Sequence, residues 1–74
     1  MTWEELKEKA KEMGAEIYTS PYGDGVERID YRDASLFKDG CVSFSSPNGF
    51  YSGVTIIAKN RTPEQMLMIM RGLE

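Results

Sequence analysis

The sequence predicts an α+β fold. An N-terminal helix, an antiparallel meandering sheet of three to five strands and a C-terminal helix form a single small domain over 1–74, with both helices on one face of the sheet. Three observations predict it. Apolar residues recur at helical spacing at both ends of the chain, the spacing changes to alternation between them, and Asp39-Gly40 and Asn48-Gly49 punctuate the middle. A chain of 74 residues buries only about 60% of the surface its unfolded form exposes, so one core layer is what it can fill.

The first helix is expected over 2–13. Thr2 caps its free amides and Glu5 is placed to reach back as a capping-box partner. Trp3, Leu6, Ala10 and Met13 fall on one narrow stripe, and Gly14 stands where a left-handed C-terminal cap is wanted. The second helix is expected over 63–73. Thr62-Pro63-Glu64-Gln65 supplies a cap, a proline at the first helical position and a capping partner. Met66, Ile69, Met70 and Leu73 share its inward face, Leu67 flanks that face, and Met68 points nearly opposite.

Between the helices, 15–19 and 26–31 are strand candidates separated by a turn rich in glycine and proline. In the second, Ile29 and Tyr31 alternate with Arg28 and Asp30, and Tyr18 and Tyr31 are expected to pack at sheet edges with their hydroxyls wet. The Asp39-Gly40 turn leaves open whether Leu36 or Phe37 faces the core, and whether 15–19 pairs in the sheet is also open. A three-residue loop at Pro47-Asn48-Gly49 is preferred, because it pairs Val42 with Val54 and Phe44 with Ser52. That register keeps Val42, Phe44, Phe50, Val54 and Ile56 together. The opposite, open face then carries Cys41, Ser43, Ser45, Tyr51, Thr55 and Ile57.

Composition narrows the functions. The chain is acidic, with a net charge of −3, and contains no histidine, which removes the commonest general base and metal ligand. Its one cysteine, Cys41, has no activating partner and reads as an inert, partly buried thiol suited to a reducing cytoplasm. The serines lack a base. Asp24, Glu27, Asp30, Asp33 and Asp39 do not follow a calcium-loop spacing, and the glycines around Asp24 lack the lysine and helix of a phosphate loop. No apolar run approaches the ~20 residues that span a bilayer. The expectation is a cytoplasmic protein that is not an enzyme. It has no catalytic residues, no metal, no cofactor, no membrane partner and no evident small-molecule substrate.

What remains is a protein-binding module that uses an exposed apolar surface, with a protein partner or self-association as a homodimer. Met66 to Met70 form an unbroken apolar run wider than one sheet contact needs, and methionine adapts to irregular partners. The expected protein-binding residues are Leu67 and Met68 on the C-terminal helix, and Tyr51 and Ile57 on the open sheet face.

The order helix, three or more strands, helix resembles the double-stranded-RNA-binding domain, and the resemblance covers element order only. That family grips phosphates with a lysine-rich start to its last helix. Here the matching stretch is Thr62-Pro63-Glu64-Gln65, so no functional residue carries over and nucleic acid is not expected as a partner. The alternative reading is a nucleic-acid-related module of that element order, or an acidic nucleic-acid mimic that blocks a basic groove on another protein.

Overall fold

The computed structural model describes residues 1–45 and 54–74. Helix α1 (Trp3–Glu12) is followed by strands β1 (Glu16–Thr19), β2 (Glu27–Tyr31), β3 (Ala34–Phe37), β4 (Val42–Ser45) and β5 (Val54–Ala58), and then by helix α2 (Pro63–Gly72). The five strands form one antiparallel sheet in chain order, β1-β2-β3-β4-β5. The segment 15–19 therefore does pair, through Glu16–Thr19 against β2. Among the described residues no helix is long and apolar enough to cross a membrane.

Both helices begin as their capping residues dictate. The Thr2 side chain accepts the Glu5 amide, although the expected return bond from Glu5 is replaced by the Thr2 hydroxyl donating to Glu5 Oε1 at 3.4 Å. At Thr62 the box is reciprocal: the hydroxyl accepts from the Gln65 amide at 3.3 Å, and Gln65 Oε1 accepts from the Thr62 amide at 2.9 Å. Helix α1 ends with Gly14 at φ +90, its amide on the Lys11 carbonyl and the Ala15 amide on the Ala10 carbonyl.

One row of partners crosses all five strands on the inner face: Ile17, Ile29, Leu36, Val42 and Ala58. Trp3, Leu6 and Ala10 of α1 and Met66, Leu67 and Met70 of α2 close over it in one core cluster, so both helices cover the same face. Leu36 is the inward residue and Phe37 the outward one. The turn between β3 and β4 closes with the Phe37 amide on the Cys41 carbonyl and the Gly40 amide on the Phe37 carbonyl.

Three expectations need correction. Tyr31 is buried in the core rather than lying wet at a sheet edge, because the row Tyr31, Ala34, Phe44 also faces the helices. Leu67 is not at an available margin. It is buried at 7% exposure, since α2 packs on α1 as well as on the sheet and so hides a wider arc. The β4–β5 register is slid from the expected one. Val42 faces Ala58, Ser43 faces Ile56, Phe44 faces Thr55 and Ser45 faces Val54, with an irregularity at Val42/Ser43 that leaves Ile57 as the extra residue. This register puts a small alanine, not a valine, at the end of the inner row beneath the helices. The expected Pro47-Asn48-Gly49 turn, Phe50 and Ser52 lie outside the described residues.

Candidate functional site

The bulge at Ile57 sets the geometry of the surface. Ile56, opposite Ser43, goes to the open face, while Ile57 turns toward α2 and lines a groove of about 400 Å³ with Ala58, Arg61, Gln65, Met68 and Ile69. Ile57 therefore does not lie on the open face as expected. The correction brings it into one site with Met68, which the sequence placed on a different surface. Met68 is 72% exposed and Ile57 44% exposed. Of the four expected protein-binding residues, these two share a site, Leu67 belongs to the core, and Tyr51 lies outside the described residues.

Arg61 is set at the groove's end by a backbone lock. Its amide donates to the Gly40 carbonyl at 2.9 Å, and Asn60 beside it adopts φ +57. Gly40 has φ +96, and a Cβ there would stand 2.9 Å from the Arg61 carbonyl oxygen, so no side chain fits between the β3–β4 turn and the entry to α2. Arg61 is the functional candidate that sequence reasoning passed over. Its only local signal was its position just before the Thr62 cap.

The open face is built differently. Tyr18 lies on it with the Arg28 guanidinium 4.6 Å from its ring centroid. Arg28 Nη2 donates to Asp30 Oδ2 at 3.0 Å, and the Ser35 hydroxyl donates to Asp30 Oδ1 at 3.0 Å. Arg28 Nε also lies 2.8 Å from Oδ1, but off its N–H direction, so this approach is an ion pair without a second aligned hydrogen bond. Beside this network Phe37, Asp39, Cys41, Ser43 and Ile56 line a smaller hollow of about 340 Å³. Ser43 is 2% exposed, and its hydroxyl has no hydrogen-bond partner among the described residues.

Asp24, Glu27, Asp30 and Asp39 are spent on local structure. Asp24 Oδ1 accepts from the Val26 amide at 3.1 Å, and that bond, with help from the Ser20 hydroxyl, holds its carboxyl below the usual range. Asp39 Oδ1 accepts from the Cys41 amide at 3.0 Å. Glu27 accepts from the Trp3 indole, and Asp30 is held by Arg28 and Ser35. Among the described residues, no group of three or more such side chains is placed to hold a metal ion. Cys41 is free and half-buried.

Compared with protein-family models, with curated proteins and with solved structures, the chain shows no match.

Proposed function

We propose that this chain is a small non-catalytic protein-binding module of the cytoplasm, and that it engages its partner through the groove between α2 and β5. The carrying observation is that Met68 and Ile57, exposed apolar residues from two different elements, line one groove. Scattered exposed apolar residues need no explanation, but apolar residues gathered around a concavity with a polar rim have the make-up of a contact site. Arg61 and Gln65 supply that rim, with donors that can orient a bound chain. Met68 fits the role because its flexible thioether can follow an irregular partner surface.

The test is affinity capture from the native host with the wild-type chain and with Met68→Glu, followed by mass spectrometry. Proteins held by the wild type and lost by the variant are expected. The reading fails if the variant, still folded by circular dichroism, retains the same proteins.

A further inference from the structure

We infer that the outer face of α2 is an interface between two copies of this chain, with the two helices antiparallel about a two-fold axis beside Met68. This rests on the reading of the groove as a protein-binding surface and names the partner.

The argument begins with how charge is distributed around the helix. Glu64, Gln65, Met68, Arg71 and Gly72 are all exposed. At about 100° per residue, Glu64 and Arg71 lie on one flank of Met68, roughly 40° and 60° away. Gln65 and Gly72 lie on the other flank, at roughly 60° and 40°. The Gln65 flank is the one that borders the β5 groove. An antiparallel two-fold keeps each flank against its own counterpart, whereas a parallel pairing would cross them.

The antiparallel arrangement is self-complementary. With a rise of ~1.5 Å per residue, Glu64 stands ~6 Å before Met68 and Arg71 ~4.5 Å after it. Glu64 of each copy then lies nearly level with Arg71 of the other, giving two ion pairs on one flank. On the other flank Gln65 of each copy lies nearly level with Gly72 of the other, beside the β5 groove. Gly72 presents no side chain on that flank, and its own chain does not require the glycine, since a Cβ there would meet nothing within 4 Å. Glu64 is already held by the Met1 ammonium, its own backbone amide and the Thr62 hydroxyl, and since a carboxylate's two oxygens offer about four acceptor positions, the new contact adds to these partners. A foreign partner requires no such order of charges. A second copy reads it directly.

Sedimentation equilibrium over about three decades of concentration tests the proposal. The wild-type mass should rise from 8.4 kDa toward twice that value. Arg71→Glu should weaken association roughly tenfold or more by setting like charges together. Adding Glu64→Arg to Arg71→Glu should restore it. A second arm leaves both charges in place. Helix axes ~8–10 Å apart bring the two position-68 Cα atoms to ~3.4–5.4 Å, a span that overlaps disulfide range. Met68→Cys in a Cys41→Ala background should therefore oxidise to a covalent dimer at concentrations where the wild type is already paired.

A wild-type chain that stays at 8.4 kDa throughout overturns the dimer, as does a folded charge-swap variant no tighter than Arg71→Glu. So does a Met68→Cys chain that forms no intermolecular disulfide. A monomer that still loses host proteins on Met68→Glu sinks the dimer alone. A monomer whose Met68→Glu variant retains them sinks the binding reading as well.

Discussion

The indole N–H of Trp3 donates to Glu27 Oε2 at 2.6 Å, joining the first turn of α1 to the first residue of β2 across 24 positions of sequence. The Lys7 ammonium, one helical turn further on, lies 3.0 Å from the same oxygen and 3.0 Å from Glu4. One carboxylate thus gathers two donors from a single face of α1, and fixes the helix along the sheet where apolar contacts alone would let it slide.

This cluster predicts acid sensitivity. The Trp3 indole, and after it Lys7, hold the Glu27 carboxyl below its ordinary range, while Glu4 and Glu27 raise the Lys7 ammonium above its own. The Glu27 contribution is full above the unfolded carboxylate value of about 4.3 and is lost as pH falls through the lower folded value. The Lys7 contribution is full below about 10.4 and is lost only as pH rises beyond that. Glu27→Gln should therefore melt several degrees below the wild type at pH 7, with the gap narrowing at pH 3. Equal gaps in calorimetry at both pH values would remove the charge from the account.

Helix α2 predicts a sharp contrast between neighbours. Met70 is 0% exposed, so Met70→Glu buries an unpaired carboxylate and should leave the chain unfolded. Leu67→Ala should cost about 2–5 kcal/mol, the ordinary penalty for truncating a buried leucine. Met68→Ala should stay within about 0.5 kcal/mol of the wild type. Urea titrations followed by circular dichroism rank the three. A Met68→Ala cost equal to that of Leu67→Ala would contradict the orientation of the helix.

Gly40 predicts a second contrast. Gly40→Ala must accept both a left-handed backbone and a Cβ against the Asn60–Arg61 backbone, whereas Gly14→Ala, at φ +90, meets open space. Strain of about 1–3 kcal/mol is expected from the backbone conformation at either site, and the steric contact adds to it only at Gly40. Thermal melts of the two variants should therefore place Gly40→Ala clearly lower. Similar melting temperatures would mean that the turn can move away from Arg61 freely.

The helices were legible because their signals are local. Thr2, Gly14 and the Thr62-to-Gln65 box each act within one turn of chain, and they stop and start the helices where the structure has them. The turn at Arg32-Asp33 was not legible. Arg32 takes φ +51 with no glycine or asparagine to announce it, and the Tyr31–Ala34 pairing around it is what holds it there. The β4–β5 register failed for a related reason. Alternation ranks Val54 and Ile56 together, but a bulge shifts side chains by one face and leaves no mark in an apolar run. The candidate groove depends on that bulge, so Met68 could be singled out from helix periodicity while its company with Ile57 could not.

The strand order has a kinetic consequence. Every described strand pairs with its neighbour in sequence, so the sheet can zip from one strand to the next without closing a long loop. The demanding closure is the docking of α1 beside α2, which unites opposite ends of the chain. The sheet is therefore the natural early structure and the helix pair the late one. Substitutions at the α1–α2 seam should chiefly hasten unfolding, while those in the row from Ile29 to Val42 should slow folding itself.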